Sequence, residues 1–461
     1  MRHARWLLAV MLAGCSGELG GGVPVDDAPD PRDDAAIVES ATDDSAPSGD
    51  AVSAPEAPIC GVVACEEDKT HHPRIQAAFD RHGGAAKVGE PFDNGGGIWV
   101  HAWGAGQVQD FEGGTLGPLT LAEADATADW SKSAYAVRGP IRAAWIALGG
   151  APDLGFPKED QHAGPGGEVQ TFEKGCLGPD GSGRYDVFTV CEDPPDLKPV
   201  LDAIQTRAAT SSPGTDFGVA VEWLPTGTRW GARADVARTS ASSAKWFWAM
   251  AALSKNAIAT VEPPALPTFK DSNNSTAGTL IDLAGGPNAV NDFTTKTLGI
   301  PITEISLCRW SFDKTRVATN CSNLLGGDNF FTPNGAVKFL KASWQRKAIG
   351  DAKGDKLLEW AKLSPRSGYG GWVGTQLPVA VRPNVRHKAG WLPTGCCSAG
   401  YPPHYNDIAI VPTPRGSYAV ALSMKGGTDS KIIKTMEWSS CVIWHALAKD
   451  VADPLGACTA P

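Results

Sequence analysis

The sequence has no cluster of basic residues, and its formal net charge is −10 over 461 residues. That balance excludes the electropositive face a nucleic-acid partner needs. No Cys-x-x-Cys pair stands at zinc spacing from a histidine, so no structural zinc is expected. Nor is any other metal or a cofactor. The N-terminal apolar run Trp6–Leu12 is too short to cross a bilayer. Residues 16–58 contain no aromatic residue and are rich in Ala, Asp, Pro, Ser and Gly. Such a stretch cannot bury enough apolar surface to fold, so it is expected to be a flexible acidic linker.

What is present points to an exported, folded protein. The length allows two or three domains, and 42% apolar with 20% charged residues is ordinary for globular chains. The 53 Gly, 35 Pro and 16 Trp predict many turns and some exposed aromatic surface. Arg2, His3 and Arg5 precede the apolar run, which ends in Leu12-Ala13-Gly14-Cys15. This end resembles a bacterial lipobox. The resemblance implies a signal peptide over 1–15, cleavage before Cys15, diacylation of its thiol and a lipid anchor in the membrane. Ser16 after Cys15 would favour the outer membrane in a Gram-negative cell. Of 11 cysteines, ten remain besides Cys15. An even number suits disulfides in an oxidising compartment. Cys60 with Cys65, Cys176 with Cys191 and Cys308 with Cys321 are the near pairs. Cys396, Cys397, Cys441 and Cys458 stay unassigned.

Residues 59–192 carry an internal repeat. The first copy runs from Ile75 through Gly83-Gly84 and Val88-Gly89-Glu90-Pro91 to Phe111-Glu112-Gly113. The second runs from Ile141 through Gly149-Gly150 and Leu154-Gly155-Phe156-Pro157 to Phe172-Glu173-Lys174-Gly175. In each, the proline lies seven positions after the second Gly of the pair. A fixed period implies stacked or paired units, here a short helix, a tight turn and a strand hairpin ending at Phe-Glu. The copies resemble the LGFP repeat of secreted bacterial proteins, which implies a module associating with a cell-envelope polymer. Residues 193–199, with Pro194, Pro195 and Pro199, read as a linker.

Residues 200–461 are long enough for one α/β-type domain. Ser242 and Lys245 are one helical turn apart, followed by the apolar run Trp246–Leu253. At that spacing the hydroxyl and the amine share a helix face. A lysine desolvated by apolar neighbours loses basicity and can serve as base for a serine nucleophile. A second Ser-x-x-Lys at Ser311–Lys314 shows that the pattern alone is weak. Further on come Ser272-Asn273-Asn274, Gly285-Gly286-Pro287, Lys388-Ala389-Gly390-Trp391, two strand-like runs around 406–411 and 418–422, and a final helix from Ser430 to Lys449.

The order Ser-x-x-Lys, Ser-x-Asn, Lys-x-Gly resembles the penicillin-recognising serine hydrolases, and within them class A β-lactamases. The resemblance implies an α/β (α+β) fold with an antiparallel sheet flanked by helices. It implies Ser242 as the acylated nucleophile, Lys245 as its base, Ser272 as proton shuttle and Lys388 as its polarising cation. Asn274 would bind the substrate amide. The segment Ala389-Gly390-Trp391 would line the substrate, with the backbone N–H groups of Ser242 and Trp391 forming an oxyanion hole. Expected substrates are β-lactams or peptidoglycan-type amides.

Two residues depart from that pattern. Ser311 stands where the family has its deacylating glutamate, with Glu304 and Asp313 the nearby carboxylates. Ala389 stands where the family has a hydroxyl for the substrate carboxylate. Arg382, Arg386 or His387 would have to supply charge instead, although each is expected at the surface. Acylation is therefore expected, with impaired deacylation. The competing expectation is an envelope-binding lipoprotein with a degenerate hydrolase-like domain. The complete Ser242, Lys245, Ser272 and Lys388 set argues against it; Ser311 and Ala389 argue for it.

Overall fold

The computed structural model describes residues 73–92, 100–124, 133–310, 313–365, 371–396 and 400–461. Of Pro73, Trp310 and residues 313–316 it describes the backbone alone. The expected signal peptide with Cys15, the acidic linker, the Cys60–Cys65 pair, Ser311, the Asp313 side chain and Cys397 lie outside the described residues.

The two repeat copies fold alike. Helices α1 (Pro73–Arg81) and α2 (Gly84–Val88) lead into strands β1 (His101–Trp103), β2 (Gly106–Phe111), β3 (Leu119–Glu123) and β4 (Tyr135–Arg138). Helices α3 (Gly139–Ala147) and α4 (Gly150–Leu154) lead into β5 (His162–Gly164), β6 (Gly167–Phe172), β7 (Gly175–Pro179) and β8 (Tyr185–Phe188). Each set of strands is a four-stranded antiparallel sheet in sequential order. Each hairpin thus gains two strands beyond the expected end at Phe-Glu. The helix pairs are joined at Gly83 (φ 101°) and Gly149 (φ 89°), a left-handed backbone that side chains with a Cβ resist. The period also fixes an isolated bridge in each copy, Pro91 with Phe111 and Pro157 with Phe172. Ile75, Phe111, Ile141, Trp145 and Phe172 form the two small cores.

From 198 onward the chain builds a larger unit. Helix α5 (Lys198–Ser211) starts inside the expected linker, because Pro199 fits a first helical turn. Strands β9 (Asp216–Trp223), β10 (Thr228–Ala232), β16 (Arg386–Leu392), β17 (His404–Thr413) and β18 (Gly416–Lys425) form an antiparallel sheet in the order β10-β9-β18-β17-β16. The short strands β11 (Arg238–Thr239), β12 (Ile305–Ser306) and β15 (Phe330–Phe331) form a second sheet, and β13 (Arg309–Trp310) pairs with β14 (Asp313–Val317).

Alternation along the strands sends residues to opposite faces. Ala220, Ile408, Ile410, Ala419 and Ala421 pack under helices α6 (Ala244–Lys255), α7 (Ile258–Lys270), α8 (Asn274–Ala284), α9 (Pro333–Trp344) and α10 (Asp351–Ala361). Val219, Val221, Ala409, Val411, Val420 and Leu422 pack against α5 and the final helix α11 (Asp429–Ala448). Helix α6 is buried on every side from Ala244 to Leu253, as its unbroken apolar run requires. None of the described tryptophan side chains is exposed. Trp145, Trp223, Trp246, Trp360 and Trp372 are fully buried, so the expectation of exposed aromatic surface fails for them: they fill cores.

The two parts touch directly. Trp344 Nε1 donates to the Asp180 carbonyl (2.8 Å), and Arg415 pairs with Glu192 (2.5 Å).

Disulfides join Cys176 to Cys191, Cys308 to Cys321 and Cys441 to Cys458. The last, unassigned from sequence, ties the C-terminal tail to α11. It closes a span of 17 residues, worth about 3 kcal/mol of chain entropy in the unfolded state. Cys441→Ser with Cys458→Ser is expected to lower the melting temperature of the non-reduced protein by about 5–10 °C, measured by differential scanning calorimetry.

Candidate active site

Ser242 sits in a 3-10 turn, Ala241–Ser243, that runs straight into α6. Ala241 before it has φ 47°, and Ser272 has φ 53°. Both are left-handed conformations that non-glycine residues hold only under constraint from their surroundings. The two strained residues bracket one group of side chains.

Lys245 Nζ, essentially inaccessible to solvent, lies within hydrogen-bond distance of Ser242 Oγ (3.0 Å), Ser272 Oγ (3.0 Å), Asn274 Oδ1 (2.8 Å) and the Ser272 carbonyl. Lys388 Nζ, equally buried, donates to Ser272 Oγ (3.1 Å) and the Ala389 carbonyl (2.9 Å). Five sequence-predicted residues, Ser242, Lys245, Ser272, Asn274 and Lys388, therefore converge, from the start of α6, the α7–α8 corner and β16. Ser242 and Ser272 are half-buried and Asn274 is exposed, so the group is open to a substrate.

Two amines on one hydroxyl disfavour a second charge. Burial first, then the positive charge of Lys388, pushes the Lys245 ammonium well below the usual lysine range. Burial lowers Lys388 to about 8, against the opposing charge of Asp407. A neutral amine beside Ser242 Oγ is a general base in hydrogen-bond contact with a nucleophile.

Gly390 brings strand and turn together. A Cβ there would lie 2.3 Å from Ser243 N and 2.6 Å from Ser242 N. The backbone of Ser242 therefore rests against β16 immediately before Trp391. Trp391 is half-buried and stacks on Tyr405 (6.3 Å between ring centres). Ala389 is placed differently: it is buried in the apolar cluster on the α5–α11 face. Asn406, opposite Gly390 in the register, steadies this corner by donating to the Thr239 carbonyl (2.8 Å) and accepting from Ser243 Oγ at its own carbonyl (3.4 Å).

The loop expected to hold a deacylating carboxylate is closed at its neck by Arg309 Nε with Asp328 Oδ1 (3.7 Å) and by the Cys308–Cys321 bond. Glu304 is held through both oxygens by Lys338 (2.5 and 2.7 Å). His387 is not at the surface. It is fully buried and bonded to Asp407, while Arg382 and Arg386 are half-buried. Sequence reasoning missed Asp407, Asn406 and Ser364 entirely, because no motif or spacing distinguishes them. Among the described residues, Cys441, His445 and Cys458 form a metal-like donor set. The two sulfurs are bonded to each other, and His445 Nδ1 pairs with Asp450 (2.8 Å).

Residues 267–445 match the model of the beta-lactamase enzyme family. No curated protein matches the chain. Among solved structures, TLA-3 extended-spectrum beta-lactamase is 19% identical with a TM-score of 0.46, over 55% of this chain and 99% of that one. TLA-1 extended-spectrum beta-lactamase is 20% identical with a TM-score of 0.44, over 55% and 100%. A beta-lactamase from Chitinophaga pinensis DSM 2588 is 19% identical with a TM-score of 0.44, over 53% and 98%.

Proposed function

We propose that residues 200–461 form a serine hydrolase that opens β-lactam or peptidoglycan-type amides through an acyl-enzyme at Ser242. The supporting observation is the hydrogen-bonded set of Ser242, Lys245, Ser272 and Lys388. Neutral Lys245 takes the Ser242 Oγ proton as that oxygen attacks the carbonyl carbon. The oxygen that becomes negative is received by the backbone N–H groups of Ser242 and Trp391, which favour the tetrahedral species over the planar ground state. The C–N bond then breaks. Ser272 gives its proton to the leaving nitrogen and regains one from Lys245, while charged Lys388 polarises Ser272. Asn274 is exposed next to this path and receives the substrate amide.

Deacylation needs a base for water. Glu304 is occupied by Lys338, and the sequence offers Ser311 at the family's glutamate position. The acyl-enzyme is therefore expected to persist. In this reading Cys15 carries the lipid anchor at the cell envelope, residues 16–58 are the tether, and the repeats in 59–192 hold an envelope polymer near the site.

Incubating the purified protein with a fluorescent penicillin and a chromogenic cephalosporin tests this. A stable covalent label with slow colour development is expected. Rapid turnover overturns the deacylation argument. No label and no turnover overturns acylation and favours a binding protein. The rate of labelling should also be bell-shaped in pH. Its acid limb appears as Lys245 loses its proton, and its alkaline limb near pH 8 as Lys388 loses its charge. Stopped labelling across pH 5–10 measures both.

A further inference from the structure

Beneath Lys388 lies a polar chain whose members make and break no bond in the proposed reaction, although the charge of Asp407 favours the charged form of Lys388. Asp407 and His387 are fully solvent-inaccessible, and Ser364 nearly so. Asp407 Oδ2 accepts from the backbone N–H groups of Trp372 (2.8 Å) and Val373 (3.0 Å). Asp407 Oδ1 faces His387 Nδ1 at 3.1 Å. His387 Nε2 faces the Ser364 carbonyl at 3.1 Å. Ser364 Oγ then donates to the Phe269 carbonyl (3.3 Å), three positions before Ser272. The chain therefore links β17 and β16, which carries Lys388, to the end of α7, which leads to Ser272.

The bonding also sets a protonation state. A carbonyl oxygen only accepts, so Nε2 must carry a proton. A carboxylate only accepts, so Nδ1 facing it must carry one too. The alternative, a protonated Asp407, is disfavoured because its other oxygen already accepts two N–H bonds, which stabilise the ionised form. Gly371 closes over the ring so tightly that a Cβ there would stand 2.1 Å from His387 Cε1. The ring has no room to turn away.

We infer that His387, Asp407 and Ser364 are positioning residues: a buried imidazolium–carboxylate pair and its serine partner hold the strand of Lys388 at hydrogen-bond distance from the corner bearing Ser272. The pair lies on the opposite sheet face from Ser242, so it touches no substrate. A ring bonded at both nitrogens and unable to turn suits a part that must fix a 3.1 Å contact between two separate elements. The inference about rate rests on the proposed acylation; the inference about protonation does not.

Asp407→Asn is the informative change. Asn can still accept from Trp372 and Val373, and its Nδ2–H can donate to a neutral Nδ1. All bonds survive and only the charges vanish. In the 15N-labelled full chain at pH 7.5, the His387 signal, assigned by its loss in His387→Gln, is expected to show protons on both ring nitrogens. In Asp407→Asn it should show one. With fluorescent penicillin, Asp407→Asn should label about tenfold more slowly, with the half-saturating concentration unchanged and the melting temperature within a few degrees of the parent. Ser364→Ala should slow labelling in the same way. A singly protonated His387 in the parent overturns the charged pair. Wild-type labelling rates in both variants, or slower labelling that follows only a loss of folded protein, overturns the positioning role. If the parent itself does not label, the proposed reaction fails, and the nitrogen spectra still decide the pair.

Discussion

Ser242→Ala is expected to abolish covalent labelling by penicillin, with a fall in acylation rate of about 10³-fold or more. In the proposed reaction Lys245 acts on this oxygen directly, and Ser272 and Lys388 act on the leaving group that its attack releases. Lys245 Nζ is 3.0 Å from it and otherwise bonded to Ser272 and Asn274. Removing the hydroxyl deletes the nucleophile and leaves the amine with oxygen partners, so the fold should survive. Lys245→Met tests the base from the other side. It places an apolar side chain where burial already disfavours charge, so stability should hold or rise while labelling falls by a comparable factor. Losses in such a set are not additive, and the double variant should be little worse than either single one. Labelling followed by gel fluorescence and mass spectrometry reads all three. Retained labelling at Ser242→Ala would mean that another nucleophile carries the reaction.

Gly390→Ala should be nearly as damaging although it adds a single methyl group. The added carbon would stand within 2.6 Å of two backbone nitrogens, Ser242 N and Ser243 N. Backbone cannot swing aside as a flexible side chain can, so strand and turn must separate. Overpacking of this kind costs about 1–3 kcal/mol. The separation displaces Ser242 from Trp391 and Lys388, and misplacement by about 1 Å costs on the order of 10²-fold in rate. Acylation is expected to fall at least that far, with a melting temperature several degrees lower. Ala389→Gly, one residue away but facing the apolar cluster, should lose stability without a comparable loss in rate. A Gly390→Ala protein that labels normally would show that the close approach is not needed.

Much of the fold could be read from local pattern. The strand-like runs around 406–411 and 418–422 reappear as β17 and β18, extended by two or three residues at each end. Pairing with neighbours lengthens a strand beyond its apolar signal. The apolar run after Ser242 becomes a helix buried on all sides. The repeat period gave the helix–turn–hairpin start of each copy but not its last two strands, since β3, β4, β7 and β8 fall outside the matched residues. Tryptophan count misled about exposure, because number says nothing of which face a side chain takes.

For the site, residue type and order along the chain identified Ser242, Lys245, Ser272, Asn274 and Lys388 as candidates, because side-chain chemistry is a local property. Helical spacing even placed the first two together. Only the tertiary structure decided how charged they are, since desolvation depends on what the rest of the chain brings around a group. Lys245 and Lys388 come from positions 143 apart in the chain, and the charge of Lys388 disfavours one on Lys245 only once both reach Ser272. The need for glycine at 390, the burial of His387 and the link from Asp407 through Ser364 to Phe269 belong to the same class. They are contacts between distant segments, and no short stretch of sequence contains both halves of any of them.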